Sequence, residues 1–146
     1  MKNNFFEATY DKVQALHKAY EAATDKTGKA AIQDSYKALM EEIEVLGAAA
    51  CRIWREYKIS RDCGNEYLDI SDVVWDKDVE GLIFCMREHG IKKFTFSSSW
   101  SSAVETAWLF QKAGCKLEGL VEINSQHKAI MSDEYEKAHG YLFSIG

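Results

Sequence analysis

Two apolar periods divide this chain, and the point where one gives way to the other constrains its fold most. From Phe6 to Tyr57 apolar side chains recur at steps of three and four, whereas beyond Tyr67 short stretches such as Lys93-Phe94-Thr95-Phe96 alternate polar with apolar. The first period belongs to helices buried along one stripe and the second to strands. An N-terminal helical region followed by a strand-and-helix layer is the organisation this predicts.

Phe6, Thr9, Val13, Leu16, Tyr20 and Ala23 outline a first helix, and Thr24-Asp25-Lys26-Thr27-Gly28 interrupts it. The pattern resumes as Ile32, Tyr36, Leu39, Ile43, Leu46, Ala50, Ile53 and Tyr57, whose steps sum to a seven-residue repeat, the period of left-handed coiled-coil packing. A short turn between two such helices predicts an antiparallel hairpin over residues 1–58, with Val13, Leu16, Tyr20, Ile32, Leu39, Ile43 and Leu46 in its seam. Read as one piece, the second helix would be roughly 40 Å long at ~1.5 Å per residue. That exceeds what an adjacent small sheet needs, so part of it is expected to project or to meet another copy in a homodimer. The chain contains no proline, which favours long helices and glycine-based turns.

Residues 59–146 supply the layer. Tyr67-Leu68-Asp69-Ile70 reads as a short strand, and Asp76 or Asp78 can cap a helix that buries Val79, Leu82, Ile83 and Met86. Lys92 to Ser97 is a second strand. Ser102 and Glu105 have capping-box spacing for a helix carrying Val104, Ala107, Trp108 and Phe110, with Gly114 as its stop. Leu117 to Ile123 alternates as a third strand, predicted to pair in parallel with the second through the intervening helix. Residues 135–145 fit either a helix or a last strand. The fold class is therefore α/β, with α+β as the alternative: a helical hairpin packed with a small β-α-β-α-β layer, forming a single domain over residues 1–146.

A net charge of −5 lacks the concentrated basic surface that nucleic-acid binding needs. No apolar run approaches the ~20 residues of a membrane span, and MKNNFFEATYDKV lacks the form of a signal peptide, so a cytoplasmic protein is expected. Cys51, Cys63, Cys85 and Cys115 are far apart, and His17, His89, His127 and His139 are not paired with them or with acids at metal spacing. Free thiols, no metal and no cofactor follow.

Ligands of open parallel sheets bind beyond the carboxyl ends of the strands. Asp69, Ser98, Ser99, Trp100, Ser101, Glu122 and Asn124 fall there and are the candidate ligand-binding residues. A serine-lined helix start can hold phosphate through its free N–H groups, but this turn lacks the glycines and lysine of a phosphate loop, and serines before a helix are ordinary caps. No GxSxG turn or paired base makes one of them a nucleophile, and no catalytic residue is assigned. Trp54, Trp75 and Trp108 are read as core anchors. Trp100, set in a polar turn, is a candidate partner contact, as is the acidic run Glu41, Glu42 and Glu44.

The segment FTFSSSWSSAVETAWLFQKAGCKLEGLVEINS, with the later MSDEYEKAHGYLF, is similar to a group of small uncharacterised proteins carried on plasmids and integrative elements of gut bacteria. The resemblance covers about the last third of the chain and implies a setting, not an activity. Such cargo regulates its element or blunts host defence, as anti-CRISPR inhibitors do, by binding another protein. The function expected is thus a non-enzymatic interaction with a protein partner. The alternative is a small α/β enzyme or binding protein for a phosphorylated metabolite or nucleotide at the strand ends.

Overall fold

The computed structural model describes residues 4–146. Helix α1 (Phe5–Ala22) begins where the Asn4 side chain accepts from Glu7 N at 2.9 Å, and α2 (Lys26–Val45) begins where Asp25 accepts from Gly28 N at 2.6 Å. Each carboxamide or carboxylate satisfies an N–H that the first turn leaves without an intrahelical partner. The two helices form the expected hairpin, but its buried seam is short. Phe6, Thr9 and Val13 of α1 and Leu39 and Ile43 of α2 are buried, whereas Leu16 and Ile32 are half-buried and Tyr20 and Leu46 are exposed. The outer half of the hairpin therefore projects beyond the core.

The long second helix of the sequence reading is in fact two. Gly47, at φ 105° and ψ −179°, separates α2 from α3 (Ala48–Asp62), a backbone conformation open essentially to glycine alone. The break frees α3 to lie against the sheet, where Ile53, Trp54 and Tyr57 are buried. Tyr57 Oη donates to Glu7 Oε2 at 2.5 Å, and Arg61 Nη2 pairs with Glu7 Oε1 at 3.0 Å, tying α3 back to α1.

Strands β1 (Leu68–Ser71), β2 (Lys93–Ser97), β3 (Cys115–Lys128) and β4 (Tyr135–Ile145) form one sheet in the order β1-β2-β4-β3. Helix α4 (Val79–Glu88), entered through a 3-10 turn at Asp76–Asp78, links β1 to β2, and α5 (Ala103–Lys112) links β2 to β3. The first two strands are parallel. The expected parallel pairing of β2 with β3 does not occur, because β4 lies between them, antiparallel to both. Residues 135–145 are thus strand, and the long β3–β4 hairpin is what inserts β4 into the middle of the sheet. The fold is α/β in its β1-α4-β2 unit and antiparallel beyond.

The alternation read from sequence assigns the two faces of the sheet. Leu68 and Ile70 stand beside Phe94 and Phe96, which face Phe143 and Tyr141 on β4. Phe110 of α5 packs on this face, its ring 5.1 Å from that of Phe94, 5.6 Å from Phe96 and 5.6 Å from Phe143. The buried face of α5 is accordingly Ala103, Thr106, Ala107 and Phe110. Val104 and Trp108, expected to be buried, point to solvent instead.

Candidate functional site

The other face of β1 and β2 is polar. Asp69 is opposite Thr95, and Ser71 is opposite Ser97. Thr95 Oγ1 donates to Asp69 Oδ1 at 2.7 Å and Ser97 Oγ to Asp69 Oδ2 at 2.6 Å. From α3, Ser60 Oγ accepts from Asp69 N at 2.9 Å while donating to the Glu56 carbonyl at 2.8 Å, and so pins the helix to the strand. Glu56 Oε2 accepts from Ser71 Oγ at 3.2 Å. Two carboxylates from different elements are thereby fixed over one short stretch of sheet.

Both are held above the ordinary carboxylate range. For Asp69 the cause is burial, which the hydroxyls of Ser97 and Thr95 partly offset. For Glu56 it is again burial, opposed by the Ser71 hydroxyl and the Arg52 guanidinium and reinforced by the charge of Asp69. Burial penalises a charge that no cation fully compensates.

These groups line a cavity of about 540 Å³. Ser98 and Ser99 at the end of β2, Asn124 with its neighbours Ser125 to His127 on β3, and Ala138 and His139 on β4 stand in the same wall. A reciprocal amide pair brings β3 to this position: Asn65 Nδ2 donates to the Asn124 carbonyl at 2.9 Å and Asn124 N to Asn65 Oδ1 at 2.8 Å. In addition, Asn124 Nδ2 donates to the Cys63 carbonyl at 2.8 Å. Gly140 lets β4 pass close behind, since a Cβ there would lie 3.3 Å from Thr95 Cβ and the Phe96 carbonyl oxygen.

Of the sequence candidates, the cavity gathers Asp69, Ser98, Ser99 and Asn124. It does not gather Glu122, which is exposed opposite His139 on β4, nor Ser101, exposed in the turn before α5. Glu56, Ser60 and Thr95 escaped the sequence reading. The expected Ser102–Glu105 capping box is absent, as the Ser102 side chain makes no capping hydrogen bond; Ser98 Oγ instead accepts from Trp100 N at 3.1 Å. Among the described residues no group of three His, Cys, Asp or Glu could hold a metal ion, and all four cysteines are free.

A second surface is built by tryptophan. Trp54 alone of the four is buried; Trp75, Trp100 and Trp108 are 65%, 57% and 62% exposed. Val104 and Trp108 are one helical turn apart on α5 and share a side, and Trp100 is in the turn that leads into the helix. Trp100 Nε1 donates to Asp72, which joins this turn to the loop carrying Trp75. Asp72, Asp76 and Glu105 are exposed acids on the segments that carry these tryptophans. Glu41, Glu42 and Glu44 are exposed on α2, as expected.

A family model described as a domain of unknown function (DUF7698) matches residues 52–145. That span contains every residue lining the cavity, together with Trp75, Trp100 and Trp108, and leaves out α1 and α2. No curated protein and no solved structure matches the chain. No helix is long and apolar enough to cross a membrane among the described residues.

Proposed function

We propose, from the premise that this chain belongs to the DUF7698 family, that it is a non-enzymatic interaction domain whose partner is a protein. The observation that carries this reading is the exposure of Trp75, Trp100, Val104 and Trp108, with Trp100 tied through Asp72 to the loop that carries Trp75. Exposed aromatic anchors of this size are disfavoured on a surface that meets only water, and tryptophan is the residue most enriched at the energetic centres of interfaces. The exposed Asp72, Asp76 and Glu105 and the net charge of −5 suit a partner with a basic surface. Likeness of the last third to proteins of mobile elements in gut bacteria supports a regulator of such an element, or an inhibitor of host defence that acts by occupying another protein. The exposed acids of α2 are a second place for that partner to touch, and the projecting hairpin is where a second copy would meet the first.

Affinity capture from the native host, run in parallel with wild type and with Trp100→Ala and Trp108→Ala, tests the reading. Expected is one partner retained by wild type, lost with both variants and weakened by salt, while circular dichroism shows the variants folded. Equal capture by wild type and both variants would refute it.

A further inference from the structure

The cavity offers something the tryptophan surface does not. Next to it, in a recess that Arg52 and Arg55 line and that shares Glu56, Ser71, Asp72 and Gln126 with it, one buried donor and one neighbouring acceptor make no hydrogen bond. Glu56 is 8% exposed and uses Oε2 for Ser71, but its Oε1 lies 3.9 Å from Arg52 Nε, beyond hydrogen-bond reach. Arg52 Nε is itself buried without a partner, although Nη2 of the same side chain donates to the carbonyls of Ser71 and Val73 at 3.2 and 3.0 Å. A buried donor and an acceptor left side by side cost free energy. One hydroxyl, accepting from the first and donating to the second, satisfies both.

The rest of the lining decides the charge of whatever brings that hydroxyl. Glu56, Asp69 and Asp72 line the cavity together with His127 and His139, and among the described residues no lysine or arginine does, Arg52 and Arg55 lining only the adjoining recess, so an anion in the cavity itself would face three acids. Hydroxyls and amides from Ser98, Ser99 and Asn124 fill much of the remaining wall. An inorganic cation would need several converging ligands, and among the described residues no group of three His, Cys, Asp or Glu could hold one.

We propose that this cavity is a binding site for a hydroxylated organic amine, its ammonium paired with the carboxylates of Asp69 and Glu56 and one hydroxyl entering the adjoining recess to bridge Arg52 Nε and Glu56 Oε1. It does not rest on the protein partner proposed above, although Asp72 belongs to both surfaces. Because burial holds both carboxyls above their usual range, an arriving ammonium draws them down and displaces protons, so affinity rises with pH while the amine stays charged.

Three probes that share one ring and differ in charge test it: glucosamine, glucose and glucose 6-phosphate, followed by thermal unfolding and calorimetry. Glucosamine is expected to raise the midpoint saturably, glucose to do so less and glucose 6-phosphate not at all, with glucosamine binding tighter near pH 7 than near pH 5. Asp69→Asn and Glu56→Gln should each weaken glucosamine by at least about tenfold. Ser99→Trp, placed at an exposed position of the wall, should block it with both carboxylates intact, which keeps the test decisive if a carboxylate variant fails to fold. The proposal falls if glucosamine gives no shift, if glucose 6-phosphate matches it, or if binding survives the Ser99→Trp variant.

Discussion

Asp69 and Thr95 stand opposite one another on adjacent parallel strands, and Thr95 Oγ1 donates to Asp69 Oδ1 at 2.7 Å. The pair shows how a strand-end acid can be both buried and kept: its lone pairs are met by hydroxyls from the neighbouring strand, while among the described residues its charge is met by no cation at hydrogen-bond distance. Such a charge works against folding at neutral pH, and a ligand that neutralises it has free energy to recover.

The same reasoning gives Glu56 a measurable pH signature. Its folded-state pKa is raised above 4.5, burial being the largest cause. A raised carboxyl contributes stability that is complete below its unfolded pKa and lost as the pH climbs through the folded value. Glu56→Gln removes that dependence along with the Ser71 and Arg52 contacts, whose loss is nearly independent of pH. Urea midpoints for wild type and variant should therefore move in the variant's favour as the pH rises from about 4.5 towards 8. A gap that stays constant or moves the other way would contradict the raised pKa.

Phe110 is the single side chain of α5 that reaches Phe94, Phe96 and Phe143 together. Its replacement by Ala opens a cavity in the middle of that face and should cost about 3–5 kcal/mol. Trp108→Ala on the same helix, at an exposed position, should fall within about 0.5 kcal/mol of wild type. Chemical denaturation of the two variants side by side checks the facing of α5, and comparable losses would mean the helix is turned.

The thiols should separate by environment. Cys63, Cys85 and Cys115 are buried, and burial raises each thiol, Cys115 to about 11; the thiolate is the reactive form. Cys51 is only half-buried. Mass spectrometry after brief alkylation of the native protein should find the label at Cys51, and after denaturation at all four. Early labelling of Cys115 would place it elsewhere than in the core.

How far the site could be read from sequence depends on where each residue gets its environment. Asp69 was legible because the alternation Leu68-Asp69-Ile70-Ser71 sets it on a polar face at a strand end, and both facts are local. Glu56 was not. Four residues after Arg52 and one before Tyr57, it looks like an ordinary charge on a helix face, and only the docking of α3 against β1 buries it. The position of β4 was illegible for a related reason, since strand order is decided by long-range pairing and the local pattern reports only that a strand exists. Trp108 misled because helical spacing places Val104 and Trp108 on one stripe, while Ala103, Thr106, Ala107 and Phe110 form another that fits the sheet better.

Gly47 is where the helical region departs most from its sequence pattern, and it yields the sharpest stability comparison. The heptad places Leu39 and Leu46 in the same seam, one repeat apart, and an unbroken helix would bury both. With the chain turning at Gly47, Leu39 is 8% exposed against the hairpin seam whereas Leu46, the last residue before the turn, is 45% exposed. Leu39→Ala should therefore cost about 2–5 kcal/mol, the range for a leucine removed from a packed core, and Leu46→Ala less than about 1 kcal/mol. Gly47→Ala adds a Cβ where no heavy atom lies within 4 Å, so any loss comes from the backbone alone, about 1–3 kcal/mol for a conformation that side chains rarely adopt. If Leu46→Ala proves as costly as Leu39→Ala and Gly47→Ala is neutral or stabilising, then α2 and α3 are one continuous helix, and the docking of α3 that places Glu56 in the cavity is lost with the break.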